Sequence, residues 1–99
     1  MLELSPFQRR FLKAQAHHLN PVVMIGDAGL TPAVLKEAET ALAAHELIKI
    51  KIHSDEREIR DALMEDICIK TGATPVQHIG KILIIYKAAK KPKLALPKE

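Results

Sequence analysis

The stretch Val22-Val23-Met24-Ile25-Gly26-Asp27-Ala28-Gly29-Leu30-Thr31-Pro32 constrains the fold more than any other part of the chain. A β-branched, apolar run halts at a Gly-x-x-Gly, and the helix-starting pair Thr31-Pro32 follows one residue later. This order predicts strand, glycine turn, helix. Glycines permit a sharp turn and the close approach of another backbone. The helix that follows directs unsatisfied amides and its positive dipole end over the turn, an arrangement suited to phosphate.

A chain of 99 residues forms one domain with a modest core. Its 47% hydrophobic and 27% charged content is that of a folded, aliphatic-rich chain and not a disordered one. No apolar run reaches the roughly 20 residues that span a bilayer, and the N-terminus has no signal-peptide pattern, so a soluble cytoplasmic protein is expected. Cys68, the single cysteine, has no partner for an internal disulfide. It lies within an apolar helical pattern and reads as a buried thiol.

Charge is unevenly distributed. Residues 1–20 carry +2, 21–46 carry −3, 47–71 carry −1 and 72–99 carry +5. Basic ends around an acidic middle suit an anionic partner. Nucleic acid ranks ahead of a membrane surface because no strongly amphipathic Lys/Arg helix is present.

Ser5-Pro6-Phe7-Gln8 predicts the first helix, with Ser5 as N-cap and Gln8 closing a capping box. Phe7, Phe11 and Ala14 are predicted to face the core, while Arg9, Lys13 and His17, with Arg10 beside them, form a separate basic stripe. Asn20-Pro21 ends this helix. The second helix starts at Thr31-Pro32, with Val34, Ala38, Ala41, Leu42 and His45 on its inner side. Leu47 to His53 alternates strictly, placing Ile48, Ile50 and Ile52 on one sheet face and Lys49, Lys51 and His53 on the other. The lysines serve either as edge protection or as ligand contacts.

Ser54-Asp55 is predicted to cap a third helix that runs to about Thr71, with Gly72 as a left-handed C-cap. Ile59, Leu63 and Ile67 make its apolar row, and Glu58, Asp61 and Glu65 lie opposite. Thr74 to Ile79 and Lys81 to Lys87 read as a hairpin around Gly80, with Pro75 at a strand start or a sheet edge. The chain divides into a domain over residues 1–87 and a basic, mobile tail over 88–99, carrying Lys90, Lys91, Lys93 and Lys98. The fold class is α/β: a single small domain of order α-β-α-β-α-β-β, a four-stranded mixed sheet with three helices. Both crossovers are predicted to give parallel pairs, and the hairpin an antiparallel one.

Few chemistries fit these residues. G-x-G-x-x-G and G-x-x-x-x-G-K-[ST] are absent, which excludes dinucleotide and P-loop sites. His17, His18, His45, His53 and His78 lack ligand spacing, and no serine occupies a G-x-S-x-G elbow. What remains is a glycine loop at a helix start between basic segments, a device with which RNA-binding modules clamp a sugar-phosphate backbone.

Val22 to Thr31 and His45-Glu46-Leu47-Ile48-Lys49-Ile50-Lys51-Ile52 together resemble the bacterial YhbY family, the stand-alone form of the chloroplast RNA splicing and ribosome maturation (CRM) domain. Thr71-Gly72-Ala73, Val76 to Lys81 and Leu83 to Lys87 extend the match, which runs from about Leu4 to Lys87. The resemblance implies a fold like the C-terminal domain of translation initiation factor three, and RNA binding without catalysis or cofactor. Its implied partners are ribosomal RNA and the precursor large ribosomal subunit, with no membrane and no small-molecule substrate. It maps an RNA-binding loop onto Gly26, Asp27, Ala28 and Gly29, and a basic surface onto Arg9, Arg10, Lys13, Lys49, Lys51 and Lys81. Asn20 and Lys87 depart from the family's usual lysine and arginine, and the Asp27 carboxylate repels phosphate unless it turns inward onto the loop amides.

Three function classes follow. The first is a non-enzymatic RNA-binding factor in large-subunit assembly. With only 3% aromatic residues, it would contact phosphates and 2′-hydroxyls of structured RNA more than stacked bases. The second is a module that docks through its tail on a ribosomal or assembly protein, and the third is a small metal-dependent enzyme.

Overall fold

Ser5 opens helix α1 (Pro6–Ala16) through a complete capping box, its Oγ accepting from the Gln8 amide at 3.1 Å while the Gln8 side chain accepts from the Ser5 amide at 3.0 Å. The computed structural model describes residues 3–90, 92 and 94–98. Strand β1 (Pro21–Ile25) leads through the glycine loop to α2 (Pro32–His45), where Thr31 Oγ1 accepts from the Val34 amide. Then come β2 (Leu47–Ile52), α3 (Arg57–Thr71), β3 (Thr74–Ile79) and β4 (Ile82–Tyr86). Element order and class are those predicted.

The sheet order is β1-β2-β4-β3. β1 pairs with β2 in parallel, whereas β4 is antiparallel to both its neighbours. The second crossover therefore gives no parallel pair, because β4 folds back into the slot between β2 and β3. The side chains explain this choice. Leu83, Ile84, Ile85 and Tyr86 are all buried, as a central strand covered on both faces requires, while Pro75, which lacks an amide to donate, sits in edge strand β3.

Each sheet face has its own core. Val23, Ile25, Ile48, Ile50, Ile52, Leu83 and Ile85 pack beneath α2 and α3. On the opposite face Leu47, Val76, Ile84 and Tyr86 pack against Leu12 and Ala16 of α1, joined by Leu94 and Leu96 from beyond β4.

Several predicted faces are corrected here. On α1 the buried residues are Leu12 and Ala16; Phe7 is exposed, Phe11 half-buried and Ala14 exposed. α1 docks by the stripe adjacent to the predicted one, since that stripe lets Leu12 and Ala16 meet Leu47 and Tyr86. On α3 the buried row is Arg60, Met64, Ile67, Cys68 and Thr71, whereas Ile59 is exposed. The N-cap of α3 is Glu56 and not Ser54-Asp55. Ser54 Oγ accepts from the Glu56 amide, and the Ser54 carbonyl is held by Arg60 Nη1 at 2.8 Å. Asp61 does not simply face solvent, because its carboxylate lies 2.6 Å from His78 Nδ1. His45 is exposed rather than part of an inner stripe.

Two turn predictions match. Gly72 caps α3 at φ +77° and Gly80 turns the hairpin at φ +54°.

The backbone after Tyr86 is tied to the domain by Glu46. This C-cap of α2 is buried and adopts φ +64°, a conformation that non-glycine residues rarely hold. Its carbonyl accepts from the Lys87 amide at 2.8 Å, and its carboxylate from the amides of Ala89 and Leu94, each at 2.9 Å. Gln8 Nε2 donates to the Pro97 carbonyl at 2.6 Å. Ala88 to Lys90 thus border α2 near Leu42 and Ala43, and Leu94, Leu96 and Pro97 lie on the α1 side of the domain; Lys91 and Lys93 fall outside the described residues.

Candidate nucleic-acid interface

α1 covers only the part of its sheet face around Leu47, Ile84 and Tyr86, leaving the other end of that face open. Strand register dictates what the open end displays. Lys49 lies opposite Ile84 of β4 and Lys51 opposite Ile82, and on the other flank Lys51 lies opposite Met24 of β1. Lys49 is half-buried and Lys51 exposed. From α1, Lys13 and His17 reach the same ground, lining a groove with Lys49, Gln77, Ile79, Ile82 and Ile84. The fold therefore brings Lys13, Lys49 and Lys51 onto one surface.

The glycine loop follows Ile25, at the end of the sheet where Lys51 and His53 emerge. The Gly29 amide donates to the Gly26 carbonyl at 3.0 Å, the Thr31 amide to the Gly29 carbonyl at 3.0 Å, and Gly29 adopts φ +73°. Gly29 is needed for that torsion. At neither Gly26 nor Gly29 would an added Cβ meet another atom within 4 Å, so the close approach predicted at this loop is not made by any part of the domain itself. The backbone here is open to solvent, and a cleft runs from it past His53 and Ser54 to Ile59. Asp27 and Ala28 are exposed, and no hydrogen bond of the described residues ends on the Asp27 carboxylate. Its negative charge stands at the mouth of the loop.

The remaining basic positions differ in use. Arg10 is exposed. Arg9 is half-buried and its Nη1 donates to the carbonyls of Pro75 at 2.6 Å and Val76 at 3.2 Å, fastening α1 to edge strand β3. Lys81, in the hairpin turn, lies 2.7 Å from Asp55 Oδ1, and that hydrogen bond and the ammonium charge hold the Asp55 carboxyl below its usual range. Lys81 thus brings its own counter-ion. The sequence reading missed Gln77, Ile79 and Ile82; their place on the lysine face depends on hairpin register, and only the apolar pair flanking Gly80-Lys81 hinted at it.

Among the described residues, no group of three or more His, Cys, Asp or Glu side chains is arranged to hold a metal ion. Cys68 is 1% exposed, and burial pushes its thiol up to about 11. No helix among the described residues is long and apolar enough to cross a membrane.

The family model for the CRS1 / YhbY (CRM) domain matches residues 4–87. This chain belongs to the CRM-domain family. The CRM match covers every helix and strand of the fold. The chain is 48% identical to an "RNA-binding protein" of Haemophilus influenzae, with all of both chains aligned. It is 41% identical to "Probable RNA-binding protein PA4753" of Pseudomonas aeruginosa, over 92% of this chain and 88% of that one. Among solved structures, SAV1595 of Staphylococcus aureus superposes with a TM-score of 0.83 at 28% identity, covering 96% of this chain and 100% of that one. The CRM fold inferred from sequence is therefore the observed one.

Proposed function

We propose that this CRM-domain protein binds RNA without catalysis, and that its partner in the cytoplasm is ribosomal RNA of the precursor large ribosomal subunit, whose assembly it assists. One observation carries this reading: Lys49 and Lys51 share an open sheet face, with Lys13 of α1 flanking it, beside a glycine loop with an accessible backbone. Cations fixed on a rigid sheet suit the regularly spaced phosphates of a folded RNA, and the loop admits a sugar-phosphate backbone where side chains would obstruct it. The names of the relatives agree with RNA as the partner class.

Lys49→Glu combined with Lys51→Glu tests the surface. Affinity for ribosomal RNA falls, and the slope of log affinity against log salt shrinks by about 1 to 2, as expected for two lost phosphate contacts. An unchanged affinity and slope removes these lysines from the interface. Sequencing of RNA crosslinked to the protein in cells tests the choice of RNA, with enrichment of large-subunit precursors as the expected result.

The alternative, docking on an assembly protein through the tail, is better tested by charge than by truncation. Glu46 binds the Ala89 and Leu94 amides, so removing residues 88–99 also strips a buried carboxylate of partners. Lys90→Glu with Lys98→Glu leaves those bonds in place. Loss of ribosome co-sedimentation with RNA affinity retained would favour docking.

A further inference from the structure

Large apolar side chains stand among the lysines of the open sheet face. Met24, which lies opposite Lys51, and Ile79 are each 54% exposed, and Ile82 is half-buried beside Ile79. Phosphate contacts alone give no reason for such exposure, because a purely backbone-binding surface needs only charge and hydrogen-bond donors. Part of this surface is shaped. Between the C-terminal half of α1 and the β3–β4 hairpin runs a groove of about 210 Å³ with an isoleucine floor. Its rim carries Lys13, His17, Lys49 and Gln77, and among the described residues no acidic side chain lines it.

We propose that this groove holds one unstacked nucleotide of the bound RNA, with its base on Ile79 and Ile82 and its phosphate between Lys13 and Lys49. The proposal rests on the RNA-binding reading above and assigns to it a base-binding subsite. Three features favour this occupant. An apolar floor with cations on its rim suits a ligand that has a flat, apolar part and an anionic part close by, which describes a nucleotide. The volume falls below the roughly 300–1,000 Å³ of sites for drug-sized ligands, which is the scale of a single base. Gln77 offers an amide with both donors and an acceptor, the set that reads a base edge.

The groove is also built before any ligand arrives. Arg9 clamps α1 to β3 through the carbonyls of Pro75 and Val76, which immediately precede Gln77, so the two walls keep their separation. The His17 ring stands edge-on to that of His18, with centroids 5.4 Å apart and planes at 81°. Because the floor is aliphatic, the base is held by apolar contact and by its edge, a mode that requires no aromatic platform. This accommodates a chain with so few aromatic residues.

Isoleucine-methyl NMR on the full chain provides the test, with hexauridylate and hexaadenylate as probes and an abasic ribose-phosphate hexamer as the control of equal charge. The methyl signals of Ile79 and Ile82 shift with at least one base-bearing hexamer and stay in place with the abasic one, while amides near Lys49 and Lys51 respond to all. Ile79→Ser, a change at an exposed position that the amide spectrum will show to be folded, weakens that hexamer about tenfold. It leaves abasic affinity and the salt slope unaltered. Two outcomes overturn the proposal while sparing the RNA-binding reading: silent methyls with responding lysine-face amides, or an Ile79→Ser protein that binds base-bearing and abasic hexamers as before. Absence of binding to every RNA tested, including large-subunit ribosomal RNA, overturns both. Methyl shifts produced by an acidic, leucine-containing peptide and by no RNA overturn it in favour of a protein partner.

Discussion

Arg9 of α1 reaches across to edge strand β3, its Nη1 2.6 Å from the carbonyl oxygen of Pro75. A guanidinium held this way is a fastener between two elements, so its removal acts first on stability. Arg9→Ala is expected to destabilise the fold by about 1–2 kcal/mol, the range for hydrogen bonds from a charged donor at a half-buried site. Urea denaturation measures this. At temperatures where the variant remains folded, the salt slope for RNA binding changes less than for Lys49→Glu with Lys51→Glu.

Glu46 is the second fastener. Glu46→Ala leaves the Ala89 and Leu94 amides without their carboxylate acceptor, at a cost of about 2–4 kcal/mol. Glu46→Gly loses the same acceptor but relieves the φ of +64°, and should recover up to about 1 kcal/mol of that loss. In both variants trypsin cuts after Lys90 faster than in the parent protein. Denaturation midpoints and limited proteolysis together separate the two contributions.

Burial raises the Cys68 thiol from an ordinary 9.0 to about 11 and moves the Tyr86 phenol upward as well, through burial first and the Glu46 charge second. The folded protein therefore retains protons that the unfolded chain releases. The stabilisation from Cys68 is complete below about pH 9 and is lost as pH rises through about 11. Unfolding free energy measured against pH should decline across that window, with a shallower decline in Cys68→Ala. The Tyr86 contribution persists in that variant. Alkylation of the native thiol at pH 8 should be slow and limited by opening of the α3 core.

Asp27 stands exposed at the glycine loop with its carboxylate free of internal hydrogen bonds among the described residues. If the loop backbone meets RNA phosphate, Asp27→Asn removes a like charge and raises affinity by about two- to fivefold at low salt. The gain fades toward high salt as screening sets in. Stability changes by less than about 0.5 kcal/mol, as is usual for an exposed position. Titrations at two salt concentrations measure the effect, and equal affinities at both place the loop outside the contact.

Local features of this chain were legible because each depends on a few adjacent residues. The Ser5–Gln8 capping box, the Thr31 cap, the left-handed Gly72 and the Gly80 turn all occur where the sequence places them. The alternation of Ile48, Ile50 and Ile52 with Lys49 and Lys51 fixed both the strand and its two faces. Helix faces were harder. Phe7, Phe11 and Ala14 form as good a stripe as Leu12 and Ala16, and only a partner surface selects between stripes one residue apart. The site was divided in the same way. That Lys49 and Lys51 share a face is a consequence of strand geometry, but the same basic composition hid the fact that Arg9 binds β3 and Lys81 binds Asp55.

By itself, the amino-acid sequence determined the seven elements, their order, their turns, the caps of α1 and α2 but not the N-cap of α3, and the family to which they belong, since each of these is written in spacing over a handful of residues. Tertiary structure alone decided that β4 enters between β2 and β3, that α1 leaves part of its sheet face open, and which cations remain available there. Those outcomes depend on contacts between segments far apart in the chain. A buried strand such as Ile82–Tyr86 states only that both faces must be covered, and the packing of the whole domain decides by what.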